Sequence, residues 1–450
     1  MDIKKERLMS LDVFRGITVA GMILVNNPGT WGAIYPALGH APWHGVTPTD
    51  LIFPFFLFIV GVAITLSLHK RLQKGDSKKS LIVHIVQRGV TIFLLGMLLT
   101  GFPFFSTSGM IKAGESYWYV GLLLLGSFCY NGMILVLIYS LFSFFDKCFC
   151  RAEKGGSKDK QIFFVILASL FCLIVLFFVL FPNNGFDKIR IPGVLQRIAV
   201  VYTIAAILFL YFNQRKIIYW ILGLTVVYLG FMFFYPVPNF GAGDFSKEGN
   251  FAGYLDNLVL SGHMWSASKT WDPEGLFSTL PAITTALFGI LTGYLLRSEK
   301  DIYQKITLMF VDGSLLILLG VVLDMWIPIN KSIWTPSYVF YSAGMALFFL
   351  GVCIFFIDVK KHTTIFKPFL AFGMNAITVF FFSGLLARLM GMFRVNLDGN
   401  LVGIQRFIYM KVCAPYFSEL NASLAYALLY VLFWYIIMAI LYHKKIFIKV

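Results

Sequence analysis

The chain has 450 residues, of which 58% are hydrophobic and only 13% are charged. Soluble globular domains carry about 25% charged residues, so this composition excludes an ordinary soluble domain and predicts a membrane protein. The net charge of +15 does not indicate nucleic-acid binding, because the basic residues are concentrated in particular loops between apolar runs. We therefore expect a lipid bilayer around the protein and no nucleic-acid partner.

Long continuous apolar runs, such as LASLFCLIVLFFVLF, predict transmembrane helices rather than the alternating strands of a β-barrel. The predicted fold class is all-α, a polytopic membrane helical bundle of about 12 transmembrane helices, each near the ~20 residues that cross the hydrocarbon core. The predicted spans are residues 11–27, 51–69, 84–103, 118–145, 161–181, 193–212, 217–236, 278–297, 304–326, 337–357, 368–388 and 421–442.

Every second connection between these spans is basic, which predicts that both termini are cytoplasmic. The opposite side then receives two long loops, residues 237–277 and 389–420, which we expect to be extracytoplasmic. Residues 1–450 are expected to form a single transmembrane domain. The short basic loops suit a bacterial inner (cytoplasmic) membrane.

Polar residues are densest in residues 8–58, starting in the first span. Asp12 and Arg15 share one helix face. They either pair to anchor the span, or Arg15 receives an anionic cofactor, because a guanidinium fork suits phosphates. Asn26 ends the span, where its amide either stabilises a carbonyl or oxyanion, or caps and joins helices.

The following loop carries His40 and His44, and Asp50 begins the second span. An imidazole titrates near neutral pH, so His40 is a candidate general base or acyl acceptor. The alternative is a loop histidine with a structural hydrogen bond. His44 competes for the same role, and spacing does not choose between them. Asp50 either orients an imidazole or caps the helix that it begins.

Two later clusters lie near apolar spans. Gln196 and Arg197 follow a Pro-Gly break in DKIRIPGVLQRIAVVY, and an arginine inside a span usually faces a cavity or a partner, so we favour a functional role. Asn375, in AFGMNAITVFFF, indicates either a polar pocket or an interhelical hydrogen bond. Asp272 and Glu274, in WDPEGLFSTLPAITT, are predicted to serve mainly in capping and turns.

Other signals are weaker. Lys331, in IPINKSIWTPSYV, is expected on the same face as the His40 loop and is also consistent with an ordinary polar turn. The sequence contains no GxxxxGK phosphate loop, no HExxH motif and no Cys/His set with zinc spacing. Neither nucleotide hydrolysis nor a metal site is therefore predicted.

Seven sequence elements occur in the same order as in the heparan-α-glucosaminide N-acetyltransferase family of membrane acyltransferases, which the chain resembles. They are SLDVFRG, LVNN, GHAPWHGVTPTDLIFPFFLFIVG, IRIPGVLQRIAVVY, WDPEGLFSTLPAI, IPINKSIWTPSYV and GMNAITV. In that family an acetyl group passes from cytosolic acetyl-CoA to the terminal glucosamine of a glycan across the membrane. The resemblance implies that His40 and Asn26 are the active-site histidine and asparagine.

The chain departs from the animal enzyme in two ways. Residues 104–182 resemble an inserted pair of spans, and the large lumenal region before SLDVFRG is missing. This absence puts heparan itself in doubt as substrate, so the expected acceptor is a free amino sugar or a cell-envelope glycan.

The expected function is therefore acetyl-CoA-dependent N-acetylation of a glucosamine-type amine. The expected catalytic residues are His40, Asn26 and Asp50, and the expected cofactor-binding residues are Arg15, Gln196, Arg197 and Asn375. Direct transfer and an acetyl-histidine intermediate both stay open. The alternatives are a transporter of sugars or envelope intermediates, and an O-acyltransferase. A second copy of the chain is a candidate partner, as a homodimer.

Overall fold

A computed structural model describes residues 8–102 and 189–448 of the chain. Within these ranges nine helices are long and apolar enough to cross a membrane, and a bent pair makes ten if it counts as one span. The predicted helical class is confirmed. The predicted spans 118–145 and 161–181, and with them the insertion 104–182, lie outside the described residues. The total of about 12 spans and the cytoplasmic termini stay predictions.

The first five helices match predicted spans. They are α1 (Met9–Asn26), α2 (Pro48–Gln73), α3 (Lys78–Gly101), α4 (Val194–Tyr211) and α5 (Gln214–Phe234). A capping box formed by Thr47 and Asp50 starts α2, with Pro48 at the first helical position, where a missing N–H costs nothing. Ser77 caps α3 by accepting a hydrogen bond from the Ser80 backbone N–H. Local capping therefore fixes where these helices begin.

The second half contains helices and one small hairpin. The helices are α6 (Phe251–Leu260), α7 (Thr279–Arg297), α8 (Ile302–Asp324), α9 (Pro336–Cys353, continued by a π-helical turn at Ile354–Val359), α10 (Lys367–Met374), α11 (Ala376–Met392), α12 (Ile404–Ile408) and α13 (Glu419–His443). The antiparallel strands are β1 (Arg394–Leu397) and β2 (Asn400–Gly403). The long loops predicted at 237–277 and 389–420 thus carry α6 and the hairpin.

The predicted continuous span 368–388 is wrong, because the chain bends by 75° between α10 and α11. Asn375 lies at the break with φ −126° and ψ 37°. Its side-chain Nδ2 donates to the Ile446 carbonyl oxygen (3.1 Å), and its Oδ1 accepts from the Ile448 backbone N–H (2.8 Å). An asparagine that binds distant backbone in this way replaces helical hydrogen bonds with tertiary ones.

Glycines allow two close helix crossings. A Cβ atom added at Gly373 in α10 would lie 1.8 Å from the carbonyl oxygen of Asp12 in α1. One added at Gly289 in α7 would lie 2.0 Å from the carbonyl oxygen of Phe58 in α2. Only a residue without a side chain permits this approach, which is a common way of packing helices in a membrane.

The start of α1 and the end of α13 lie at the same end of the bundle, since Met9 and His443 line one groove. We call this the termini end; the α1–α2 connection lies at the opposite end. Helices α5, α8 and α13 are mostly unburied, and their exposed side chains include Leu222, Val226, Leu315, Leu318, Leu428 and Leu432. An apolar surface of this size is stable in hydrocarbon, so the protein is an integral membrane protein.

Candidate active site

The α1–α2 connection places His40 beside the first turn of α2. His40 Nδ1 lies 2.7 Å from Asp50 Oδ1. Lys331 Nζ lies 3.1 Å from His40 Nδ1 and 3.5 Å from Asp50 Oδ1. When Nδ1–H donates to Asp50, the Nε2 atom keeps the lone pair that a general base needs. The structure thus brings together two predicted catalytic residues and adds a lysine.

Asp50 both orients the imidazole and caps the helix, two roles that the sequence presented as alternatives. Its Oδ2 atom accepts hydrogen bonds from the backbone N–H groups of Ala41 (3.1 Å) and Thr47 (3.0 Å), while Oδ1 faces His40. The Thr47 hydroxyl donates to the Gly39 carbonyl oxygen at 2.7 Å. The loop backbone on both sides of His40 is therefore tied to the start of α2.

Lys331, for which the sequence left an ordinary turn as the alternative, reaches the site from the α8–α9 connection. The Gly45 backbone N–H donates to the Ile329 carbonyl oxygen at 2.7 Å, which joins the two connections. Burial lowers the pKa of the Lys331 ammonium, and the carboxylates of Asp50 and Glu274 partly oppose this shift. The only local signal for this role is the single lysine in IPINKSIWTPSYV.

The competing histidine has different partners. His44 Nδ1 lies 3.5 Å from the Asn330 side-chain amide, and its nearest carboxylate influence is Asp324. Burial lowers the pKa of His44, and Asp324 partly opposes this. Within residues 8–102 and 189–448, His44 therefore lacks the carboxylate contact that orients His40.

A second charged cluster lies close to Lys331. Arg190 donates to both carboxylate oxygens of Asp272, at 2.8 and 2.5 Å, and also to Glu274. Burial alone lowers the pKa of the Arg190 guanidinium, but the two carboxylates outweigh it and raise the pKa. Asp272 also accepts from the Trp265 backbone N–H at 2.8 Å. From the sequence, we predict mainly capping and turn roles for Asp272 and Glu274. That prediction missed this ion-pair cluster.

Arg197 is almost fully buried and binds the protein itself. Its Nη2 atom donates to the Gly275 carbonyl oxygen (3.0 Å) and to the Ser278 hydroxyl, and its guanidinium lies 5.0 Å from the Trp334 ring centroid. These contacts hold the start of α7. Arg197 lines neither of the cavities described next, so its assignment to a cofactor stays a prediction.

Two cavities lie between α1, α3, α4 and α11, and α2 also lines the first of them. The Arg15 cavity has a volume of 410 Å³, and its described lining is Arg15, Phe56, Val60, Ala63, Ile64, Ser67, Arg88, Ile92, Ile198, Tyr202, Gly373, Met374, Ala376, Ile377, Phe447 and Ile448. The Asn26 cavity has a volume of 470 Å³, and its described lining is Met22, Ile23, Asn26, Asn27, Trp31, Gly96, Leu99, Thr100, Arg190, Gly193, Val194, Leu195, Gln196, Trp265, Phe380, Ser383, Gly384, Ala387 and Arg388. Both volumes fall in the range of small-ligand pockets, about 300–1,000 Å³.

The two cavities are stacked along one axis. On α3 the lining passes from Ile92 in the Arg15 cavity to Gly96 in the Asn26 cavity, and on α4 from Ile198 to Leu195. Each step is about one helical turn, or ~5 Å of rise. The two cavities therefore follow one another along the bundle, one nearer the termini end and one at the opposite end.

The Asn26 cavity collects several predicted residues. Asn27 donates its side chain to the Ile23 carbonyl oxygen at 2.8 Å and so closes α1, whereas Asn26 is exposed to the cavity. Gln196, predicted to bind a cofactor, also lies here, with its Nε2 atom 3.5 Å from the Thr100 hydroxyl. Both asparagines of LVNN line the cavity, and Asn26 is the exposed one.

The Arg15 cavity carries two cations. Arg15 Nη1 lies 3.1 Å from Asp12 Oδ1, so this residue both pairs within its helix and lines the cavity. Arg88, which the sequence gave no reason to single out, lines the same cavity, with its guanidinium 5.0 Å from the Tyr202 ring centroid. His40 is not among the described lining residues of either cavity. Its neighbour Lys331 is influenced by the charge of Glu274, which pairs with Arg190 in the lining of the Asn26 cavity.

Comparisons with known proteins found a matching family model and curated relatives. A family model described as a domain of unknown function (DUF5009) matches residues 7–129. The heparan-alpha-glucosaminide N-acetyltransferases of Homo sapiens and Mus musculus are each 28% identical to the chain over an aligned length of 424 residues, and the match covers 83% of the chain. The match covers 52% of the human and 53% of the mouse protein, so the chain spans about half the length of these curated relatives. The chain is a distant relative of the heparan-alpha-glucosaminide N-acetyltransferases.

Proposed function

We propose that the protein moves an acetyl group from cytosolic acetyl-CoA across the membrane to the amine of a glucosamine-type sugar or glycan. The observations that carry this proposal are the stacked pair of cavities, with two arginines in one and Asn26 in the other, and the His40–Asp50 pair in the α1–α2 connection. The names of the curated relatives support N-acetyl transfer as the class of reaction.

The Arg15 cavity suits the phosphorylated part of the thioester substrate. Guanidinium groups bind phosphates through paired hydrogen bonds, and Arg15 and Arg88 both line this cavity. The arm that carries the thioester then follows the axis toward the Asn26 cavity. There the Asn26 amide donates to the thioester carbonyl oxygen and stabilises the charge that develops on it.

At the opposite end the sugar amine attacks the thioester carbon. A C–N bond forms, the C–S bond breaks, and the amine proton passes through His40 Nε2 to the departing coenzyme A thiolate. Asp50 stabilises the imidazolium that forms in between. General base catalysis of this kind contributes roughly 10²–10⁴-fold in rate. The proposal requires residues 28–47 to bring His40 to the mouth of the Asn26 cavity when both substrates bind.

The test is acetyl transfer by the purified protein from acetyl-CoA to glucosamine. His40→Ala should lower the turnover rate by at least about 10²-fold while coenzyme A still binds. His44→Ala is the matched control, because it removes an imidazole four residues away that has no carboxylate contact, and it should keep most of the activity. Full turnover by His40→Ala would remove His40 from the mechanism.

Acceptor choice distinguishes the competing functions. N-acetylglucosamine has no free amine, so it should not be acetylated, and its acetylation would instead indicate O-acyl transfer. Uptake of labelled sugar into vesicles without coenzyme A, together with no acetylated product, would indicate a transporter.

Intact-protein mass spectrometry after exposure to acetyl-CoA alone separates the two chemical routes. An added acetyl group on His40 supports a covalent acetyl-histidine intermediate. A clean absence after rapid quenching supports direct transfer to the amine, as written above.

A further inference from the structure

A third concavity adjoins the Arg15 cavity at the termini end. We call it the tail groove; it has a volume of 520 Å³ and is lined by Met9, Asp12, Leu370, Met374, Tyr442, His443, Lys445 and Phe447. Met374 and Phe447 line both the groove and the Arg15 cavity. Asp12 lines the groove, and its ion-pair partner Arg15 lines the cavity. The two spaces therefore share a thin wall.

The wall includes a segment that folds back after α13. Lys445 has φ 55°, the left-handed conformation that reverses the chain, and the Ile446 backbone N–H donates to the Leu441 carbonyl oxygen at 2.8 Å. Asn375 then holds the backbone of Ile446 and Ile448 with its two side-chain hydrogen bonds. The reversal and the Asn375 clamp together fix the course of this segment.

Phe447 lies between the two clamped residues and lines both the groove and the Arg15 cavity. The residue is 37% exposed, and the clamp holds the backbone of its neighbours, not its ring. Side chains with this exposure change rotamer on short timescales. A change of the Phe447 rotamer would join the two spaces without unfolding any helix.

The chemistry of the tail groove fits an adenine nucleotide. Lys445 supplies a cation for phosphate, and Tyr442 supplies a ring on which a purine can stack. The negative charge of Asp12 is offset by Arg15. A thioester that enters the Arg15 cavity from this side would leave its nucleotide in the groove.

We propose that the tail groove binds the nucleotide end of the coenzyme A substrate, and that Phe447 is the side chain that moves to join the groove and the Arg15 cavity into one elongated site. This inference rests on the proposed function and adds to it a binding site and a gate.

Charge at the groove is tested with two adjacent lysines. Lys445→Gln should weaken binding of coenzyme A and of adenosine 3′,5′-bisphosphate about three- to fivefold, the range for an exposed charge pair, and should leave pantetheine binding unchanged. Lys444→Gln removes the same charge from a residue that lines none of the three spaces, and should have no effect. Equal effects of the two variants, or none from either, would overturn the assignment of the groove.

The gate is tested by the rate of coenzyme A association in stopped flow. Phe447→Ala should speed association several-fold because it removes the partition. Ile446→Ala is the control, since the Ile446 side chain is exposed and only its backbone is clamped. An unchanged association rate for Phe447→Ala would overturn the gate.

Failure of this inference differs from failure of the proposed function. Wild-type protein that does not bind coenzyme A at all would contradict the function. Wild-type protein that binds coenzyme A and transfers acetyl groups, but is insensitive to both Lys445→Gln and Phe447→Ala, would contradict the inference alone.

Discussion

His40 and His44 show what the sequence can and cannot distinguish at the scale of residues. Both are exposed imidazoles in one loop, and nothing local separates them. The structure separates them by their partners, a carboxylate for His40 and the amide of Asn330 for His44. The partner Asp50 was predictable because it is near in sequence. Lys331 was not, because it is 291 residues away from His40.

Removing Lys331 should lower the stability of the protein. Its ammonium lies 3.5 Å from Asp50 Oδ1, and the Asp50 carboxylate is almost fully buried. Lys331→Met should therefore cost about 1–3 kcal/mol, the range for a buried polar group that loses a partner. Lys247→Met, which removes an exposed lysine beside the Trp271 ring, should leave the midpoint of thermal unfolding in place. A midpoint for Lys331→Met that matches the wild type would contradict this reading of Lys331.

Asp256 should make stability depend on pH. Burial raises the pKa of this α6 carboxyl to about 7 from 3.8, although the Leu276 backbone N–H donates to it. Between these values the folded protein holds a proton that the unfolded chain has lost, so stability falls as pH rises from about 4 to about 7. The thermal stability of wild-type protein minus that of Asp256→Asn should decline over this range. A difference that is constant or grows would show that the carboxyl is not protonated in the folded state.

At the scale of elements, local sequence signals were sufficient to predict the spans. They were not sufficient to predict the break within a span or the contacts between distant segments. Ten of the twelve predicted spans fall in the described ranges. Nine of them correspond to single helices, because the length of an apolar run is a local property, whereas the span 368–388 is the bent pair α10 and α11. The break at Asn375 depends on backbone 71 and 73 residues away, and the Arg190 cluster joins residues 82 and 84 apart. Contacts at such separations leave no pattern in a single sequence.

The crossing of α2 and α7 should be intolerant of any side chain. In Gly289→Ala the new methyl group would meet the Phe58 carbonyl oxygen, so the helices must separate, at a cost of about 1–3 kcal/mol. Gly223→Ala in α5 is the matched control, because an added Cβ there meets nothing within 4 Å. Thermal unfolding in detergent should show a lower midpoint for Gly289→Ala only. Equal midpoints for the two variants would contradict the close crossing.

At the scale of the whole molecule, the proposed reaction accounts for the two stacked cavities. A thioester on one side of a bilayer and an amine on the other must meet without a polar leak through the hydrocarbon. Chambers built from successive turns of α1, α3, α4 and α11 allow an elongated substrate to extend between them. The resemblance in sequence indicated the chemistry, whereas the cavities themselves arise from packing between helices that are far apart in the chain.

Acetyl transfer across a sealed membrane tests this account most directly. Protein reconstituted in one orientation would receive acetyl-CoA only on the side of the termini end and glucosamine only on the side of His40. The account predicts N-acetylglucosamine in the glucosamine compartment with wild-type protein and none with His40→Ala. Product that forms only when both substrates share a compartment would contradict it.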